Sequence, residues 1–165
     1  MAAYSTAQQH KFEKYVRRYL SMYLPTAGYE ICDTDRYGGN SQARLVATKD
    51  WDVGDEIRCC TGYIAYLDSE DDAQLRNQGR DFSVMYSYRK KKNCLFLGPA
   101  RFANHDCDAN CKFINVGNNG ICFKVIKRVA RGEELTVFYS NEYFGKDNCE
   151  CRCVTCERKA SNFKV

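Results

Sequence analysis

The sequence predicts a mostly β domain with one N-terminal helix and a cysteine-rich, metal-binding tail. Three observations predict it. Short apolar runs separated by turn residues recur from about residue 29 to residue 139, a pattern of strands rather than helices. A single helical periodicity stands before them. Four of the eleven cysteines, Cys149, Cys151, Cys153 and Cys156, fall within eight residues. A chain of 165 residues suits one domain with its own core.

The elements follow in order. Residues 7–24 read as a helix because Phe12, Val16, Tyr19, Leu20 and Tyr23 recur at steps of three and four, and Pro25 ends the run. A second, short helix begins at Ser69 as N-cap, carries Glu70, Asp71 and Asp72 in its first turn and stops at Gly79. Strands are expected near 29–32, 44–48, 57–66, 82–88, 94–97, 111–116, 121–126 and 135–139. The stretch "GNNG" at 117–120 joins two of them as a hairpin. "RKKK" at 89–92 reads as a solvated turn, with a nuclear localisation signal or phosphate patch as the sharper alternative.

Composition excludes several classes. No run of eighteen apolar residues exists, so no membrane span is expected. The N-terminal stretch lacks the apolar core of a secretory signal. The net charge of +4 is mildly basic and suits an acidic or nucleic-acid-associated partner. An odd number of cysteines without an export signal points to a reducing compartment, where clustered cysteines mean metal rather than disulfide. Cys59 and Cys60, in an apolar run, read as small core residues.

"NCECRCVTCERK" at 148–159 is the sharpest local signal. Zinc takes four tetrahedral ligands with Zn–S near 2.3 Å, so the sulfurs sit roughly 3.8 Å apart. The C-x-C-x-x-C spacing supplies three ligands. The fourth is either Cys149 or a cysteine from elsewhere in the chain, and Cys107 is the candidate.

Cys107 lies in "RFANHDCDANC", residues 101–111, where an amide, an imidazole, a carboxylate and a thiol stand in sequence at Asn104, His105, Asp106 and Cys107. Thiol catalysis fits poorly. On an extended chain His105 and Cys107 share a face, but Asp106 points the other way and does not orient His105. No strand-turn-helix elbow surrounds Cys107. A plain buried histidine is the remaining alternative.

R-F-x-N-H-x-C-x-x-N, spelled by Arg101, Phe102, Asn104, His105, Cys107 and Asn110, resembles the central motif of SET-domain protein lysine methyltransferases. "GEELTVFYS" at 132–140 is similar to that family's second motif. "DFSVMYSYRK" at 81–90, "LGPARFANHDCDANCKF" at 97–113 and "CRCVTCER" at 151–158 look like the subfamily that methylates lysine 20 of histone H4 to di- or trimethylated product. The resemblance runs from about Gly28 to Arg158.

It implies a SET fold of several small sheets with a pseudoknot-like C-terminal threading. It divides the chain into an N-terminal helix at 1–27, a SET domain at 28–145 and a zinc-binding post-SET segment at 146–165. It implies S-adenosyl-L-methionine as cofactor, S-adenosyl-L-homocysteine as product, and zinc. Asn104 and His105 would hold the cofactor through backbone and side-chain hydrogen bonds. The usual G-x-G entry is absent, and "RYGGNSQAR" at 36–44 stands in its place, so Tyr37, Gly38, Gly39 and Ala43 are the candidates there. Glycine lets backbone approach a ligand closely. Arg89 matches a position near the cofactor and would pair with its carboxylate. Subfamily alignment implies Cys107, Cys151, Cys153 and Cys156 as zinc ligands. The broader family spacing would select Cys149, Cys151 and Cys156 from the tail. The first set is preferred because the residues after Cys156 match as well. Departures at Ala109 and Phe138 remove no essential chemistry.

The resemblance makes Tyr139 the catalytic residue, its hydroxyl orienting the substrate amine. Ser83 matches a small polar residue near the target nitrogen and would influence methylation state. Phe113, Tyr86 and Tyr143 are the expected channel walls. The implied partner is the histone H4 tail on nucleosomes, with non-specific DNA contact, in nuclear chromatin. A catalytically weak module that binds histone tails or protein partners is the alternative. Intact Asn104, His105 and Tyr139 argue against it.

Overall fold

The structure, a computed structural model, describes residues 5–36, 42–80, 83–87, 90–117 and 120–162. The chain forms two compact units. The first comprises residues 1–27, 58–101 and 114–122, and the second residues 28–57, 102–113 and 123–165.

The first unit opens with helix α1, Thr6–Leu20, continued by a 3-10 turn at Ser21–Tyr23 before Pro25. Ser5 and Gln8 cap its start reciprocally, the Gln8 amide on the Ser5 hydroxyl and the Ser5 amide on Gln8 Oε1. No described residue of α1 is fully buried, so polar and cation–π anchors fix the helix. The Tyr19 hydroxyl accepts the Gly98 amide at 3.0 Å. The Arg18 guanidinium lies 5.2 Å from the Tyr63 ring centroid. Gly98 permits this approach: its φ is +91°, and a Cβ there would meet the Thr61 carbonyl at 2.5 Å and Arg18 Cδ at 2.7 Å.

Three antiparallel strands of this unit form one side of a seven-stranded sheet. Strand β3 (Glu56–Tyr66) pairs with β5 (Lys92–Leu97), Tyr63 opposite Leu97, and β5 pairs with β4 (Val84–Ser87), Val84 opposite Leu95. Cys60 is buried as expected, with Cys94, Phe96 and Ala100, while Cys59 is only half-buried. Helix α2, Ser69–Asn77, is capped one residue earlier than its sequence suggests: Asp68, not Ser69, accepts the Asp71 amide at 2.8 Å. A carboxylate at the positive end of a helix dipole is the stronger cap.

In the second unit β1 (Tyr29–Thr34) and β2 (Gln42–Ala47) form an antiparallel pair. The chain at 132–135 lies along β2, with the Ala47 amide on the Glu133 carbonyl at 2.9 Å and the Leu135 amide on the Leu45 carbonyl at 2.8 Å. The central feature is parallel. Strand β6 (Asn104–His105) pairs with β9 (Thr136–Val137), and Cys111 of β7 (Cys111–Val116) also pairs with Val137. The core of this unit is Leu45, Ile57, Phe123, Val125, Val129, Leu135 and Val137, each at most 1% exposed. Strands β3, β7 and β8 (Gly120–Val125) run from one unit into the other, and the strand order across the seven-stranded sheet is β4-β5-β3-β8-β7-β9-β6.

Most expected strands stand within two residues of their predicted ends. The expected strand at 135–139 pairs over only two residues, 136–137. Among the described residues, the elements that were not expected include the two-residue β6, short 3-10 turns at Pro99–Phe102 and Lys146–Asn148, and a tail helix α3, Val154–Asn162. The centre of the expected turn at 117–120 lies outside the described residues. Among the described residues no helix is long and apolar enough to cross a membrane, and all eleven cysteines are free thiols.

Candidate active site and metal centre

Four consecutive residues each bind a different part of the second unit. The parallel ladder sets Asn104 beside Thr136 and His105 beside Val137, and the Asp106 amide continues it onto the Val137 carbonyl at 3.1 Å. Alternation along this extended stretch sends successive side chains to opposite faces. Asn104 Nδ2 donates to the Ala43 carbonyl at 3.2 Å and to Glu134 Oε1 at 2.9 Å. His105 turns the other way: its Nδ1 accepts the Tyr139 amide at 3.1 Å, and its Nε2 lies 3.3 Å from Cys107 Sγ. As the extended geometry requires, Asp106 does not orient His105.

Asp106 instead holds the tail helix. It is 6% exposed and accepts from the Thr155 hydroxyl at 2.5 Å, the Thr155 amide at 3.4 Å and the Asp108 amide at 2.8 Å. Thr155 is the second residue of α3, so Asp106 caps that helix from 49 residues away. Burial pushes the Asp106 carboxyl up, but the hydrogen bonds from Thr155 and Asp108 outweigh it and hold the group below its ordinary value. Burial also depresses the His105 imidazole, against a smaller upward pull from the Asp106 charge.

Asn110 is a further organiser that the motif contains but that sequence reasoning left without a task. Its Nδ2 donates to the Glu134 carbonyl at 2.8 Å, and its Oδ1 accepts the Thr136 amide at 2.9 Å. Both halves of one amide thus clamp the strand that leads to Tyr139.

The sulfurs converge. Cys107 Sγ lies 3.9 Å from Cys151 Sγ and 3.5 Å from Cys156 Sγ. The Cys107 and Cys156 amides each donate to Cys153 Sγ at 3.4 Å, and the Cys153 amide donates to Cys151 Sγ at 3.4 Å. The ligand atoms of His105, Cys107, Cys151 and Cys153 all lie within 4.8 Å of one another. Separations near the roughly 3.8 Å of tetrahedral thiolates, with amides aimed at sulfur, fit a soft divalent cation such as zinc. Cys149 is exposed. Burial pushes the Cys107 thiol up, and takes Cys151 up to about 11. At Cys153 burial also acts upward, but the amides of Cys107 and Cys156 override it and pull the thiol down. The tail has a second tether: Arg36 Nε donates to the Arg152 carbonyl at 3.3 Å, and its guanidinium pairs with Glu157. Nothing in the spacing of these two residues signalled that pairing.

Tyr139 stands where β9 ends. Its hydroxyl donates to the Ala103 carbonyl at 2.6 Å. Its ring meets Tyr143 edge-on, with centroids 4.7 Å apart, and Phe144 at 6.4 Å. Asn148 fixes the turn beyond, donating to the Ser140 carbonyl at 2.8 Å and accepting the Phe144 amide at 2.9 Å. Phe113 packs on Phe123 in the same unit, centroids 5.4 Å apart. Ser83 and Tyr86 belong to the first unit. Ser83 has φ +68°, and its hydroxyl accepts Arg101 Nε at 3.3 Å. The structure therefore brings Ala43, Asn104, His105, Tyr139 and the cysteine cluster together in one unit. Tyr37, Gly38, Gly39 and Arg89 lie outside the described residues.

The SET domain family model matches residues 42–140. Histone-lysine N-methyltransferase set9 of Schizosaccharomyces pombe is 42% identical over 92% of this chain and 34% of its own length. Histone-lysine N-methyltransferase Suv4-20 of Caenorhabditis elegans is 40% identical over 90% of this chain and 52% of its own length. The chain thus spans about a third of the first relative and half of the second. A solved Plasmodium falciparum protein classed as a histone methyltransferase shares the fold, with a TM-score of 0.50 and 14% identity, over 71% of this chain and 96% of its own. The matched residues contain both motifs and the parallel ladder that joins them, and on that ground the chain belongs to the SET-domain family.

Proposed function

We propose that the protein is a histone-lysine N-methyltransferase that uses S-adenosylmethionine and acts on lysine 20 of histone H4 toward di- or trimethylated product. The observation that carries this reading is the fixing of Tyr139, backbone on His105 and hydroxyl on Ala103. The names of the relatives support the reaction class, and the three subfamily-like stretches support the H4 target.

A methyl donor fits the chemistry of the donor set. Asn104, held through Nδ2 by the Ala43 carbonyl and Glu134, would offer Oδ1 to the cofactor's ammonium. Ala43 presents backbone beside it, and Tyr37, Gly38, Gly39 and Arg89 would complete the pocket. The His105 ring is committed to Tyr139 and Cys107, so His105 would contribute backbone only. When bound, the cofactor supplies a methyl group on a positive sulfonium.

The substrate lysine must be neutral to accept that methyl. With an ordinary pKa near 10.4, neutralising it at pH 7 costs about 4.6 kcal/mol. A dry aromatic channel favours the neutral form, and Phe113, Tyr86 and Tyr143 are its proposed walls. Holding the amine in line contributes roughly 7–11 kcal/mol toward the barrier, so no dedicated general base is required. Because the Tyr139 hydrogen is committed to the Ala103 carbonyl, its oxygen serves the amine as an acceptor and orients the nitrogen. Zinc, held by Cys107, Cys151, Cys153 and Cys156, would tie the tail to the motif. The net charge of +4 suits nucleosomal DNA beside the histone tail in nuclear chromatin.

The test is calorimetry with S-adenosylmethionine, followed by mass spectrometry of H4 peptides carrying zero, one or two methyl groups at lysine 20. Mass gain on the unmodified and monomethylated peptides supports the proposal. Tight cofactor binding with no mass gain on peptide or nucleosome would instead identify a binding module.

A further inference from the structure

We infer that His105 is a positioning residue, whose imidazole accepts the Tyr139 amide at Nδ1 and donates from Nε2 to the Cys107 sulfur, locking the metal centre to the catalytic tyrosine. The inference rests on the reading of Cys107 as a zinc ligand.

Hydrogen-bond direction decides the role. A backbone N–H is always a donor, and that of Tyr139 lies 3.1 Å from His105 Nδ1. Nδ1 therefore carries a lone pair, which excludes the imidazolium and puts the ring proton of the neutral form on Nε2. That N–H lies 3.3 Å from Cys107 Sγ, where a thiolate is the natural acceptor. The ring cannot turn away easily. It is 3% exposed and packed by Phe138, Tyr139 and Phe144, with centroids 5.2, 5.4 and 5.3 Å away.

Two consequences follow. Nε2 sits close enough to the tail sulfurs to count as a ligand atom, yet ligation through it would move the proton to Nδ1 and set donor against donor at Tyr139. His105 is thereby excluded from the metal, and Cys156, with its sulfur 3.5 Å from Cys107 Sγ, completes the four thiolates. In addition, an N–H donated to a thiolate withdraws charge from a site whose four sulfurs outweigh the cation, the kind of outer contact that tunes metal affinity.

The decisive measurement uses the intact zinc-loaded protein with nitrogen-15 histidine. We expect His105 to show a protonated Nε2 and an unprotonated Nδ1. In the cadmium-113 form its Hε2 should show scalar coupling to the metal through Cys107. Two variants then separate the bonds. His105→Asn keeps an acceptor for Tyr139 but loses the donor, and should weaken zinc about 10-fold. His105→Gln keeps a donor toward sulfur but loses the acceptor, and should hold zinc more tightly than His105→Asn while lowering single-turnover methyl transfer more. A proton on Nδ1 with metal on Nε2 overturns the inference while leaving zinc in place. Wild-type zinc affinity in His105→Asn overturns it too. Elemental analysis that finds no metal in the wild type defeats both the inference and the zinc reading. The tautomer is read on the wild-type protein, so poor folding of either variant does not remove the test.

Discussion

In the proposed mechanism Tyr139 has two separable tasks, packing through its ring and orienting the amine through its hydroxyl, and a one-atom change divides them. Tyr139→Phe keeps the ring contacts with Tyr143 and Phe144 and loses only the hydroxyl. We expect normal folding, normal cofactor binding by calorimetry and a roughly 100- to 1,000-fold slower single turnover; wild-type turnover would remove Tyr139 from the mechanism. Asn110→Ala withdraws both partners from the Glu134 carbonyl and Thr136 amide. It should cost about 2–4 kcal/mol in urea unfolding. At Ser83, Val fills space near the proposed target nitrogen and should suppress the last methylation more than the first. Ser83→Ala removes the acceptor of Arg101 Nε and should alter the product ratio with cofactor affinity kept. Identical product distributions in both variants, read by mass spectrometry from unmodified and monomethylated peptides, would take Ser83 out of the channel.

At the scale of elements, the tail is a helix and a cysteine cluster, proposed to hold zinc, fixed by separate contacts, and the two should separate on mutation. Thr155→Val removes the hydroxyl that Asp106 accepts. Hydrogen exchange in residues 154–162 should accelerate while zinc content stays at one per chain. For the cage, Cys149→Ser should retain zinc and Cys153→Ser should lose it by elemental analysis, and the reverse result would reassign the ligands. Legibility in the sequence followed the range of the interactions. Helix α1 was readable because its periodicity and the Pro25 that ends the run are local; its equally local Ser5–Gln8 cap was not read from the sequence. Strand β6 is two residues long, too short for any periodicity, whereas β9 was expected but pairs over only two of the five residues read as strand. Helix α3 begins inside the cysteine run, where metal spacing masks helical pattern, and its cap comes from Asp106, 49 residues away. Arg36 and Glu157 are separated by 121 residues. The motif residues were legible as a group through family resemblance, and so were the tail cysteines beside Cys107, while the partners of Asn104, His105 and Asp106 were not.

For the molecule as a whole, the modest positive charge sets a measurable expectation. If DNA phosphate contributes to nucleosome binding, added salt should slow methylation of nucleosomes more than of an H4 peptide; equal salt dependence would mean that the tail alone is recognised. Alkali should act through the interior. Burial takes the Cys111 thiol from an ordinary value near 9 up to about 12. Below pH 9 that thiol is neutral in both folded and unfolded chains. Above it the unfolded chain ionises first, so stability should decline from pH 9 toward 12, which thermal unfolding across that range will show. The run of four anchoring residues also has a consequence for synthesis. Cys107 precedes Cys156 by 49 residues, which a ribosome takes about 2–10 s to add. For most of that interval His105, Asp106 and Cys107 exist without Tyr139, and until its last steps without Thr155 or the tail thiols. With Cys107 as a zinc ligand, as proposed, the nascent chain carries a bare thiol, open to oxidation or the wrong metal until the last helix emerges to bring its partners.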